Sequence, residues 1–200
     1  MKNKKQLQEI KGIFDKSNME FFPCYGTLLG LIRDGDLIEW DADIDVCIFK
    51  EQFKNNGLLL LKSFEEEGWT LKSTIGAIEE GLIVTFKNKR YLDVHIIYSV
   101  GESLCGPFYG AGSRQGDMWE LIWYKYPKFN LIKKEFDGVV LSIPDIAEKV
   151  ISVHYGEDWR EEKKSWSRSS QPRNMENTHK RHRLVKGIEQ TRERYYELLG

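Results

Sequence analysis

Between Tyr25 and Phe49 the chain reads YGTLLGLIRDGDLIEWDADIDVCIF, and three aspartates, Asp41, Asp43 and Asp45, recur at every second position. Aspartate is among the poorest strand formers, and like charges crowded on one strand face repel. Yet Ile44, Val46 and Ile48 give the same run the period-2 pattern of a half-buried strand. The two demands are compatible if a cation neutralises the acidic face. The segment therefore predicts a strand over 41–49 with its isoleucines and valine in the core and its acids facing a metal. In a strand the Cα atoms of Asp43 and Asp45 lie about 6.6–6.8 Å apart. Two such carboxylates can share one Mg²⁺ (or Mn²⁺), or bracket two ions ~3.5–4 Å apart. Hard cations of this kind take oxygen ligands and leave positions for substrate phosphates. Asp41 has the same parity but stands at the strand entry, where it either joins the metal shell or caps a turn.

An EF-hand calcium loop is excluded, because Val46 stands where that loop needs glycine and Gln52 where it needs the closing glutamate. A further carboxylate is available at Asp93 in Tyr91-Leu92-Asp93-Val94-His95, with Leu92, Val94 and Ile96 on the other face. It can complete a metal shell or act as general base towards an attacking hydroxyl. Upstream, Gly26-Thr27 opens a short apolar helix, whose free N–H groups and dipole can hold a phosphate. Arg33 is a candidate phosphate contact, as is one of Arg168 or Arg173.

The remaining segments supply a frame. Leu7, Ile10, Ile13 and Phe14 mark an amphipathic helix over 4–17, and Phe53, Leu60, Leu61 and Phe64 mark another that stops at Gly68. Residues 69–74, 82–87 and 91–100 read as strands, the last two joined as a hairpin by Asn88-Lys89-Arg90. Asp137-Gly138 between two apolar runs is a strong hairpin signal, and Pro144-Asp145 opens a helix closed at Tyr155-Gly156. Residues 101–130 show no sustained period and predict a long irregular insertion whose aromatics (Phe108, Tyr109, Trp119, Trp123, Tyr124, Tyr126) form a pocket. The basic stretch from Arg160 to Lys186 reads as a solvated connector before a last helix striped by Leu184, Ile188, Tyr195 and Leu199.

At 200 residues the chain suits a single domain. Its net charge of −1 gives no argument for nucleic-acid binding. Cys24, Cys47 and Cys105 have no paired spacing, so neither a disulfide framework nor a zinc site is expected. No apolar run approaches the ~20 residues of a membrane span, and the expected location is the cytoplasm, with peripheral membrane association left open.

Gly26-Thr27, then Asp43-Ile44-Asp45-Val46, then Leu92-Asp93-Val94, resembles the nucleotidyltransferase superfamily with its DNA polymerase β-like fold. Tyr25-Gly26-Thr27-Leu28-Leu29-Gly30…Arg33…Trp40-Asp41-x-Asp43-Ile44-Asp45-Val46 is more closely similar to the LicD family of phosphocholine and fukutin-related phosphotransferases. Ser142-Ile143-Pro144…His154-Tyr155-Gly156-x-Asp158-Trp159 resembles that family's C-terminal signature. The resemblance implies an α/β (α+β) fold, a mixed sheet flanked by helices. It also implies a donor of the CDP-choline, CDP-ribitol or CDP-glycerol type and a glycan or glycolipid acceptor, with CMP leaving. The implied roles are catalysis and metal binding at Asp43, Asp45 and Asp93, with Asp41 as an extra ligand, and substrate binding at Gly26, Thr27 and Arg33. Ala42 replaces a further family aspartate, but its parity turns it away from the metal face. The insertion lacks the cysteine and histidine cluster of fukutin-related members, so zinc is not implied. A nucleotidyltransferase attaching a nucleoside monophosphate to a small molecule, and a degenerate nucleotide-binding member, are the alternatives.

Overall fold

The computed structural model describes residues 3–115, 117–163 and 172–200, and side chains throughout these except at 111–115. Helix α1 (Lys4–Lys16) buries Leu7, Ile10, Ile13 and Phe14. The two-residue strand β1 (Phe22–Pro23) leads into α2 (Tyr25–Arg33), and β2 (Asp43–Phe49) follows after a loop. Next come α3 (Lys50–Glu66), β3 (Thr70–Ala77), β4 (Glu80–Lys87) and β5 (Tyr91–Val100). Strand β2 runs parallel to β5, with Asp45 opposite Asp93, and β4 pairs antiparallel on the other edge of β5.

These three strands carry the division that their alternation implies. Ile44, Val46, Ile48, Leu92, Val94, Ile96, Val84 and Phe86 join α1 and α3 in the main core. Burying a side chain of this size is worth roughly 1.5–3 kcal/mol, so this face fixes the register. A one-residue slip would place the acids in the core instead. The acid-bearing face is turned the other way, towards the later part of the chain.

That later part forms β6 (Ser103–Gln115), β7 (Met118–Pro127), the hairpin β8 (Leu131–Phe136) and β9 (Val139–Pro144), α4 (Ala147–Tyr155), β10 (Met175–Lys186) and α5 (Ile188–Leu199). The β8–β9 turn has Asp137 and Gly138 at φ 49° and 79°, as the Asp-Gly signal requires. Helix α5 is tied down by Tyr195, fully buried, whose hydroxyl donates to the Gly57 carbonyl at 2.7 Å. Leu184, expected on the same helical stripe, instead lies on β10, and Ile188 is exposed.

The sheet overturns the expected polymerase β-like architecture. Strands β5, β4, β3, β10, β7 and β6 are each antiparallel to the next, and β6 pairs back onto β5. The fold is mixed α/β, but its dominant feature is this closed six-stranded barrel rather than an open sheet flanked by helices. Closure depends on stretches that the sequence presents as irregular. The 101–130 insertion is largely the β6–β7 hairpin, and much of the basic connector is β10. Strand β7 is apolar on both faces, with Leu121 and Trp123 on one and Ile122 and Tyr124 on the other, so no single-faced alternation is visible. Strand β10 is mostly exposed and is interrupted by a bulge between Asn177 and Arg181. Among the described residues no helix is long and apolar enough to cross a membrane.

Candidate active site

Strand β5 has two successive partners along one edge. Its residues Tyr91–Ile97 pair with β2, and Tyr98–Val100 pair with β6. Where β2 gives way to the β6–β7 hairpin, a cavity of about 230 Å³ opens over the acid-bearing face. Asp41, Asp43, Asp45 and His95 line one wall; Tyr25, Phe108, Tyr124 and His154 line another.

Asp45 is buried and held at two points. Its backbone N–H donates to Thr27 Oγ1 at 2.8 Å, and its Oδ1 lies 3.0 Å from His95 Nε2. Asp93 stands beside it in register, and its Oδ1 accepts from the Thr85 hydroxyl at 2.6 Å. Burial, then the neighbouring Asp45 charge, pushes the Asp93 carboxyl up to about 6. Ligand atoms of Asp45, Asp93 and His95 all lie within 4.8 Å of one another. Two carboxylates and an imidazole this close form a donor set that fits a divalent cation.

The expected site residues are distributed differently from the sequence reading. Asp43 is at the cavity wall but outside the cluster of three, and Asp93 is in the cluster but does not line the cavity. Asp41 lines the cavity and lies over the start of α2, where a Cβ added to Gly26 would collide with its carboxylate. The helix N-terminus expected to receive a phosphate is thus approached by an acid of the chain itself. Thr27 is buried and spends its hydroxyl on Asp45. Arg33 reaches the cavity wall, where its guanidinium makes a two-pronged pair with Asp34, both contacts 2.7 Å. Ala42 is exposed in the loop before β2, although its parity matches the core-facing Ile44 and Val46. Arg173 packs near Gly156 and does not line the cavity, and Arg168 lies outside the described residues.

Several residues of the site carried little signal. His95 shares a face with Asp93 in the sequence, but only the pairing of β5 with β2 puts it against Asp45. Tyr25 begins α2 with φ 45° and sets its ring edge-on to His95, centroids 4.8 Å apart. Its hydroxyl points to Gly106 of β6, where an added Cβ would come within 2.5 Å. His154 on α4 is enclosed by Tyr25, Tyr124, Tyr126 and Tyr155, with the Tyr126 hydroxyl 2.8 Å from its Nδ1. Burial pushes its pKa down to about 3, so the ring is neutral at working pH. Of the insertion aromatics, Phe108 and Tyr124 stack at 5.1 Å and reach the cavity, whereas Tyr109 and Trp119 pack with Leu121 elsewhere.

Residues 18–145 match the family described as LicD/FKTN/FKRP, nucleotidyltransferase domain. The chain is similar to Ribitol-5-phosphate transferase FKTN of Mus musculus, 29% identical over 175 residues that cover 86% of this chain and 36% of that protein. Proteins of the same name from Homo sapiens and Macaca fascicularis are each 27% identical over the same shares. The chain spans just over a third of the length of the curated relatives it matches. With the matched segment carrying Asp41, Asp43, Asp45, Asp93 and His95, this chain belongs to the LicD/FKTN/FKRP family.

Proposed function

We propose that the chain transfers a phospho-alcohol from a CDP-activated donor to a hydroxyl of a glycan or glycolipid, releasing CMP. The observation that carries this reading is the cavity itself, where an acidic wall (Asp41, Asp43, Asp45) faces an aromatic one (Tyr25, Phe108, Tyr124). The first suits a cation-bound pyrophosphate and the second suits a base or sugar ring.

In the proposed reaction the acceptor hydroxyl oxygen forms a bond to the phosphorus that carries the alcohol, and the bond from that phosphorus to the CMP oxygen breaks. The acceptor proton passes to a carboxylate. Asp43 is assigned that role, because it lines the cavity and stands outside the cluster of three. Asp45, fixed by Thr27 and His95, and Asp93, fixed by Thr85, would hold a divalent ion, Mg²⁺ or Mn²⁺. When bound, such an ion supplies positive charge against the pyrophosphate oxygens as the bond breaks. Tyr25 and Tyr124 would exclude water from the donor, and Asp41 and Arg33 would shape the cavity mouth around its phosphates.

The alcohol is proposed as ribitol, glycerol or choline, each presented as its CDP ester. Incubating the protein with Mg²⁺ or Mn²⁺, these three esters and a glycan or glycolipid acceptor should release CMP from one of them. Pyrophosphate release from nucleoside triphosphates, with all three CDP esters inert, would instead establish nucleotidyl transfer.

A further inference from the structure

His95 poses a proton-counting problem. Its Nε2 lies 3.0 Å from Asp45 Oδ1, and its Nδ1 lies 3.4 Å from the Pro107 carbonyl oxygen. A carbonyl only accepts, and so does an ionised carboxylate, whereas a neutral imidazole has a single N–H to give. With Nδ1–H given to Pro107, Nε2 turns a lone pair towards Asp45, and a proton or a cation between the two atoms relieves that contact. The ring cannot avoid the choice by swinging out, because it is 6% exposed and Tyr25 stands edge-on against it at 4.8 Å.

We propose that His95 is a nitrogen ligand of the cation held by Asp45 and Asp93, with Nδ1–H donated to the Pro107 carbonyl and Nε2 facing the ion. This rests on the reading of the site as a metal centre and adds to it the class of ion. Histidines that bind metals generally give their other N–H to a carbonyl or carboxylate, which fixes the tautomer. Pro107 is placed to receive it. Asp93 has an outer partner too, in the Thr85 hydroxyl, so both ligands are oriented before an ion arrives. Mg²⁺ prefers oxygen ligands and retains its waters, while an imidazole nitrogen favours first-row transition ions. A shell of two carboxylates and one imidazole thus favours a first-row transition ion, Mn²⁺ among them, over Mg²⁺.

The test uses the full chain and Mn²⁺ as the probe. Electron spin-echo envelope modulation of bound Mn²⁺ should show ¹⁴N coupling, replaced by the ¹⁵N pattern when histidine is labelled. His95→Gln, confirmed as folded by circular dichroism, should abolish the coupling and reduce the Mn²⁺-over-Mg²⁺ preference by about tenfold or more. Bound Mn²⁺ without nitrogen coupling in the wild-type chain would overturn the proposal and leave an all-oxygen metal centre standing. Nitrogen coupling that survives His95→Gln would overturn it as well, by assigning the nitrogen to another residue. Failure to bind either ion would overturn both the proposal and the metal-centre reading, leaving His95 as a hydrogen-bond partner of Asp45 alone.

Discussion

Asp93 shows how one residue's environment carries two opposite requirements. Without a cation its carboxylate is costly, because it is partly buried beside Asp45, and its pKa moves from 3.8 to about 6. Since the folded state then holds the proton more tightly than the unfolded state, stability falls as pH rises through that interval, and the full cost is present above about pH 6. Removing the charge should therefore help the metal-free protein. We predict that Asp93→Asn raises metal-free stability at pH 7.5 by on the order of 1–2 kcal/mol, with the Thr85 hydroxyl still bonded to the side-chain oxygen. The same variant should lose any stabilisation by Mn²⁺, because the charged ligand is gone. Thermal melts with and without the ion read both effects. A metal-free melting point that falls in Asp93→Asn would contradict the account of Asp93 as a costly, partly buried acid. Metal affinity in the wild type should likewise weaken as pH falls through about 6 and Asp93 takes up its proton.

At the scale of elements, the segments with one clean period were legible and those with two apolar faces were not. Helix α1, strand β2, strand β5 and the β8–β9 hairpin all follow patterns in which one face is plainly apolar or a turn is spelled out by Asp137-Gly138. The barrel was hidden because β6 contains Pro107 and the glycines Gly106 and Gly110, β7 is apolar on both sides, and β10 is largely charged. What joins these strands is tertiary: Leu121, fully buried, packs with Ile75 and Ile83 from β3 and β4. Leu121→Ala should cost about 2–5 kcal/mol, measured by urea unfolding. A loss of less than about 1 kcal/mol would mean that the barrel closure contributes little to stability.

For the whole molecule, the site exists because two parts of the chain meet. The segment from α2 to β5 brings Asp41, Asp43, Asp45, Asp93 and His95, and those acids were readable because they interrupt apolar strands. The β6–β7 hairpin and α4 bring Phe108, Tyr124 and His154; the first two were expected to form a pocket, but their meeting with His154 and the acids depends on barrel closure. Folding separates Asp43 from Asp93, both candidates by pattern: Asp43 lines the cavity, whereas Asp93 joins Asp45 and His95 in the cluster and does not line it. The central claim is that this acidic face, with a cation, works on a CDP-activated alcohol. Its most direct test is CMP release by the wild type, Asp43→Asn and Asp45→Asn with the accepted CDP ester and Mn²⁺, on proteins shown to be folded. The account predicts a loss of at least about 100-fold in each variant, the scale on which acid–base and charge-stabilising groups act. Undiminished CMP release in both variants would contradict it.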